Sequence, residues 1–312
     1  MIERILIGYD GGAQARHALV LGAALASRLD ASLTLGTCLP EKGRASAAPA
    51  GEDAGGAEEL LADALSSVSR FEPDDLRRRS IVGGPPAYGL RDLAVDEGAD
   101  LIVIGSTHRG PIGRVLPGRT ALRLVRDTPC PIAIAPNELA DDSAAAAGDI
   151  AVAFDGTEQA SRGLRFAAEL ALQVGATIRV IAVLAPTGRP PRLLDRVDAA
   201  KTEKAARDRE RLIHAVEEAT RGLPPALDAK SVLLEGFPIS AISDYGLGPG
   251  GLLVTGSHGR GPLSSAVLGS VSDGLIDASP WPLIVVPPSR GQNLGNEGDL
   301  PEGGALTADR PD

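Results

Sequence analysis

The sequence predicts an α/β protein made of two tandem, Rossmann-like, doubly wound units. Three observations predict it: the chain repeats itself at half its length, short apolar runs alternate with segments of helical period, and the apolar content is aliphatic. A length of 312 residues, set against roughly 100–200 per domain, favours two domains. Hydrophobic residues make up 43% of the chain and aromatics 3%. Each core must therefore be built from Leu, Val, Ile and Ala, which argues against haem pockets, aromatic cages and base-stacking platforms.

The repeat fixes the architecture. Residues 4–19, RILIGYDGGAQARHAL, match residues 149–164, DIAVAFDGTEQASRGL, at a spacing of 145, which sets Asp10 against Asp155. Residues 100–118 match 251–269 at a spacing of 151, and TPCPIAIAP (128–136) matches SPWPLIVVP (279–287) at the same spacing. The unit is a duplicated domain, since a solenoid would need at least three shorter units.

Taken in order, the strand candidates of the first copy are Arg4–Gly8, Ser32–Leu39, Arg79–Val82, Leu101–Ile104 and Pro131–Ala135. Those of the second are Ile150–Phe154, Thr177–Leu184, Lys230–Leu234, Leu252–Thr255 and Pro282–Val286. Continuous apolar runs of this length suit strands buried on both faces of a parallel sheet. Between them lies helical spacing, as in Ala18, Leu21, Gly22, Leu25 and Leu29, and again in Leu164, Ala167, Ala168, Ala171 and Leu172. Five strands with four crossovers make one doubly wound unit.

Composition sets the boundaries. The polar, Ala-rich stretch 137–149 reads as a linker between a first domain, 1–136, and a second, 149–288. Glu41–Gly56 reads as a mobile loop after the second strand, Arg192–Arg221 as a long charged helix, and 289–312 as a disordered tail that lacks an apolar period.

Lys and Arg total 31 against 41 for Asp and Glu, a net charge of −10, which supplies no basic footprint for nucleic acid. None of the lysines, Lys42, Lys201, Lys204 and Lys230, follows a Gly-rich loop, which excludes a Walker A site. Cys38 and Cys130 lie far apart with no metal-ligand spacing, which suits a reducing compartment. The first residues do not read as a signal peptide. No run approaches the roughly 18 apolar residues of a membrane span. The expectation is a soluble cytoplasmic protein with no nucleic-acid or membrane partner.

Chemistry concentrates in the second copy. Gly256, Ser257, His258 and Gly259 leave the end of the fourth strand, and Gly269-Ser270 follow nine residues after Gly259, at the expected start of a helix. In open α/β sheets ligands sit at that edge, and a helix N-terminus offers unpaired N–H groups to an anion. Glycines let backbone approach phosphate oxygens, and the Ser270 hydroxyl can donate to them.

The spacing G-x2-G-x9-G-S, with Asp155 after the first strand and the GSHGRG wording, resembles the universal stress protein family over nearly the whole chain, as two tandem copies. The resemblance implies a five-stranded parallel sheet of order 3-2-1-4-5 in each copy. In the motif-bearing branch it implies ATP binding. Carried over by position, Ala153 and Asp155 would face the adenosine and Val183 would line the adenine side. Gly256, Gly259, Gly269 and Ser270 would hold the phosphates, and Val271 would follow on the helix.

Asp155 can also be read as a helix N-cap, with Glu158 three residues on. His258 reads as a general acid or base or, with no partnered carboxylate nearby, as a hydrogen-bonding loop residue; Arg260 reads as a phosphate partner or a solvated side chain. Any Mg²⁺ would contact phosphate oxygens and water, with Asp155 as an indirect ligand.

The first copy keeps Asp10, Gly105 and Gly118, but His108 replaces the glycine at 259, Arg119 replaces Ser270, and Cys38 replaces Val183. It is expected to bind more weakly or not at all, with Arg119 supplying charge if it binds. No catalytic set assembles, so a nucleotide-dependent regulatory protein leads, with slow ATP hydrolysis and a nucleotide-independent interaction module as alternatives. Single-domain family members resemble dimers joined through their last strands. TPCPIAIAP and SPWPLIVVP are therefore candidates to pair as an intramolecular pseudo-dimer, with a homodimer also open. Trp281 would lie at that junction or in the core.

Overall fold

The computed structural model describes residues 1–39, 76–82, 84–106, 119–136, 148–184, 199–257 and 269–288. The first repeat runs β1 (Arg4–Gly8), α1 (Ala13–Leu29), β2 (Ser32–Leu39), β3 (Leu76–Val82), α2 (Pro86–Asp96), β4 (Leu101–Gly105), α3 (Arg119–Asp127) and β5 (Ile132–Ala135). The second runs β6 (Ile150–Ala153), α4 (Glu158–Val174), β7 (Ile178–Leu184), α5 (Ala199–Arg221), β8 (Ala229–Glu235), α6 (Pro238–Ser243), β9 (Leu252–Gly256), α7 (Ser270–Ala278) and β10 (Leu283–Val286). The predicted loop at 41–56, most of the linker and the tail lie outside the described residues.

Each half has the order 3-2-1-4-5, and the two halves form one ten-stranded sheet, β3-β2-β1-β4-β5-β10-β9-β6-β7-β8. Every neighbouring pair within a half is parallel. The junction is antiparallel, with Leu283 opposite Ile134, Ile284 opposite Ala133 and Val285 opposite Ile132. The last strands of the two repeats thus pair within the chain, and each covers an edge the other would leave exposed.

Alternation along the strands distributes the core between the two faces. Ile5, Ile7, Val103, Ala133, Val152, Val254 and Ile284 lie under α1, α4 and α5. Leu6, Ile102, Ile132, Ala151, Leu253 and Val285 lie under α2, α3, α6 and α7. Both apolar layers run across the junction without a break.

Helix stripes follow the expected period with one shift. Ala18, Leu21, Gly22, Leu25 and Leu29 are all buried on α1. On α4, Leu164, Ala167, Ala168 and Ala171 are buried, but Leu172 is 47% exposed and Leu170 is buried instead. The stripe centres on Ala160, Leu164, Ala167 and Ala171, so Leu170 falls on its near side and Leu172 beyond its edge. Trp281 is half-buried and lines a narrow cleft with Ile134, Ala135, Ile276 and Leu283, which places it at the junction.

Candidate functional site

The carboxyl ends of β6, β7 and β9 and the starts of α4, α6 and α7 surround a cavity of about 220 Å³ in the second repeat. Seven of the residues singled out in the sequence line it: Ala153, Asp155, Val183, Gly256, Gly269, Ser270 and Val271. Sequence reasoning missed Thr157, Ile181, Pro238, Ile242, Thr255 and Ser272, which also line it. A signal for two of them was available. At the 151 spacing Thr255 and Ser272 stand against Ile104 and Ala121, hydroxyls where the other copy is apolar.

The turn after β6 is built by short-range chemistry. Gly156 takes φ +80, a left-handed setting that glycine tolerates best, and so delays the start of α4. The N-cap is consequently Thr157, whose Oγ1 accepts from the Ala160 N–H at 3.2 Å. Asp155 stands two residues further back, and its Oδ1 accepts from Thr157 N at 3.0 Å and Thr157 Oγ1 at 2.6 Å. The capping reading of Asp155 is corrected: it supports the cap and is not the cap. Oδ2 carries no hydrogen bond among the described residues.

The cavity wall has two chemically distinct parts. Ala153, Ile181, Val183, Pro238 and Ile242 make an apolar slot; Ile181 and Val183 share a face because they are two apart on β7. Beside it lies the start of α7, where Gly269 is an N-cap without a side chain to bond the first turn. The N–H groups of Ser270, Val271 and Ser272 therefore have no acceptor within the helix, and the positive end of its dipole faces the cavity. Beneath them Ser272 Oγ donates to the Gly256 carbonyl at 3.0 Å and lies 3.0 Å from Thr255 Oγ1, both hydroxyls buried.

Gly256 has a packing role beside any ligand role. A Cβ there would lie 2.1 Å from the Gln159 carbonyl oxygen, because α4 crosses β9 at that point. Ser257 is fully buried, and both its N–H (2.9 Å) and Oγ (3.1 Å) donate to Val286 O, tying the end of β9 to β10. Its side chain does not line the cavity. His258, Gly259 and Arg260 lie outside the described residues, as do His108 and Gly118. Arg119 is the first residue of α3, and only its backbone is described.

The equivalent cavity in the first repeat is about 140 Å³. Asp10 keeps its turn, accepting from Gly12 N at 2.9 Å, but Gly12 stands at the N-cap and offers no hydroxyl. Leu90 occupies the space above two glycines: a Cβ at Gly8 would lie 2.8 Å from Leu90 Cδ1, and one at Gly36 would lie 3.4 Å from Cδ2. Gly105 packs on α1 as Gly256 packs on α4, 2.2 Å being left between a Cβ and Gln14 O. Ile104 and Ala121 replace the buried hydroxyl pair.

Cys38 lines the first cavity, with Sγ 3.6 Å from Pro86 O. Burial pushes its pKa from an ordinary 9.0 to about 11, only partly opposed by a backbone hydrogen bond at Leu90. The fold therefore holds the thiol protonated and unreactive. Stability from this preference is complete below pH 9 and is lost as pH rises through 9 towards 11. At pH 8 iodoacetamide is expected to leave Cys38 unlabelled in the native protein and to label it once urea unfolds the chain; peptide mass analysis distinguishes the two.

Among the described residues no group of three or more His, Cys, Asp or Glu is placed to hold a metal ion, and no helix is long and apolar enough to cross a membrane. A family model described as the universal stress protein family matches residues 1–136 and again 148–287. A universal stress protein of Mycobacterium tuberculosis is 26% identical over 295 residues, covering 91% of this chain and 99% of that protein. The crystal structure of a universal stress protein from Archaeoglobus fulgidus superposes with a TM-score of 0.63 at 19% identity, covering 91% of this chain and 98% of its own. One from Pseudomonas aeruginosa, described as a putative universal stress protein, gives 0.59 at 19% identity, with 92% and 94% covered.

Proposed function

The chain belongs to the universal stress protein family, and from that premise we propose that its second repeat binds ATP and that the protein acts in the cytoplasm as a nucleotide-dependent regulator of the stress response. The observation that carries this reading is that one cavity is walled by both an apolar slot and a helix start. Its apolar slot suits a nucleobase, and its uncapped helix start suits an anion.

In this reading the base packs among Ala153, Ile181, Val183, Pro238 and Ile242. The free Oδ2 of Asp155 accepts from the ribose hydroxyls while Oδ1 holds the turn. At about 220 Å³ the cavity is smaller than the roughly 300–1,000 Å³ typical of ligand pockets. The phosphates accordingly extend outwards, past Gly269 to the N–H groups of Ser270 and Val271 and the Ser270 hydroxyl. Mg²⁺, where present, would be held by phosphate oxygens and water. Nothing in this set is arranged to activate a nucleophile, so the site is read as binding ATP without turning it over.

The site is tested by mass analysis of nucleotide released from the purified protein, followed by calorimetry. About one ATP per chain is expected. Asp155→Asn keeps an oxygen for Thr157 but places a donor where the ribose needs an acceptor; it should weaken ATP binding about tenfold or more, the scale of a hydrogen bond to a charged group. Asp10→Asn in the first repeat should leave affinity unchanged. No bound nucleotide, or two sites of equal affinity, would refute the assignment.

A further inference from the structure

Phe237 breaks two local rules at once. The residue is 74% exposed, in a chain with four phenylalanines. It also occupies the N-cap of α6 without a capping hydrogen bond, where Ser, Thr, Asp or Asn would add stability. Local choices that oppose stability concentrate at functional sites.

Its place in the fold supplies a reason. Gly236, at φ +133, turns the chain off the end of β8, and its N–H donates to Leu184 O at 3.2 Å. That anchor holds the turn against the end of β7. Successive Cα atoms are about 3.8 Å apart, so Phe237 stands beside Pro238, which lines the apolar slot with Ile181, Val183 and Ile242. The ring itself is not part of the cavity wall. At the matching position of the first repeat, before Pro86, stands Pro85, and there the cavity is the smaller one filled by Leu90.

The low aromatic content argues against a platform of several rings but not against one, and we propose that Phe237 is a single base-stacking residue: on binding, its ring turns from solvent onto the face of the base that the slot leaves open. The inference rests on reading the cavity as a nucleotide site and adds to it a residue that holds the base from the solvent side. A stacked ring gains apolar burial and π contact together, which accounts for an aromatic held in water in the free protein. Every base presents such a face, so the contact adds affinity without choosing between adenine and guanine.

Calorimetric titration of ATP into wild type, Phe237→Ala and Phe237→Trp tests this. Phe237→Ala is expected to bind about tenfold more weakly, the loss of one stacked base, with an unchanged melting temperature. Phe237→Trp should restore the affinity, and its new indole emission should shift with ATP beyond any change of Trp281 in wild type. Wild-type binding matched by Phe237→Ala would overturn the stacking role alone, as would a tryptophan variant as weak as the alanine one. Failure of wild type to bind ATP would overturn both this inference and the reading beneath it.

Discussion

Replacing Gly256 by alanine is expected to destabilise the second repeat by about 3 kcal/mol or more, the upper range of overpacking. A methyl group there would stand 2.1 Å from the Gln159 carbonyl oxygen and 2.5 Å from its carbonyl carbon. Both are backbone atoms of the first turn of α4, so no side chain can rotate away to make room. The helix would have to lift from β9, taking Ala160, Leu164 and Ala167 out of the core that it shares with Val152 and Val254. Gly105→Ala, 2.2 Å from Gln14 O, should do the same to the first repeat. Thermal unfolding with and without ATP separates the two roles of Gly256. A glycine required by packing lowers the melting temperature of the free protein, by about 10 °C at the usual 2–4 °C per kcal/mol. A glycine required only by a ligand leaves the free protein unchanged, and that outcome would sink the packing argument.

The same residue shows how far the sequence reaches. Glycine spacing located the end of β9 and the start of α7, because both need backbone close to something, but it did not reveal that for Gly256 one neighbour is a helix. Strands buried on both faces were legible as apolar runs, and β1 and β2 begin and end where those runs do. The outer strands were less so. β3 starts at Leu76 and not Arg79, since Arg77, Arg78 and Arg79 are exposed on the sheet edge and carry no apolar signal. β8 likewise extends beyond its apolar run to Ala229 and Glu235. The slot residues Pro238 and Ile242 come from a six-residue helix, too short to show a period. Leu90 closes the first cavity through space that Gly8 and Gly36 leave open, a coincidence of three elements that no local pattern encodes.

A carboxylate at Ala133 should cost about 4 kcal/mol and should be felt in the other repeat. Ala133 is fully buried on β5 and faces Ile284 of β10 across the antiparallel junction, in the apolar layer beneath α1 and α4. The charge in Ala133→Asp would have to be desolvated without a partner there or be protonated to fit, and either route is costly. Because the ten strands form one sheet, the strain passes to β10 and to Trp281, whose cleft is walled by Ile134 and Ala135 of the first repeat. Trp281 emission is expected to move to longer wavelength in the variant before the bulk of the helical signal is lost, as water enters the junction. Ile284→Asp, the reciprocal change, should produce the same shift. Wild-type unfolding followed by Trp281 fluorescence and by circular dichroism should coincide in one transition, and in Ala133→Asp the two should separate. If Trp281 in that variant reports the wild-type wavelength and midpoint, the repeats are joined by the linker alone and the sheet is not continuous in solution.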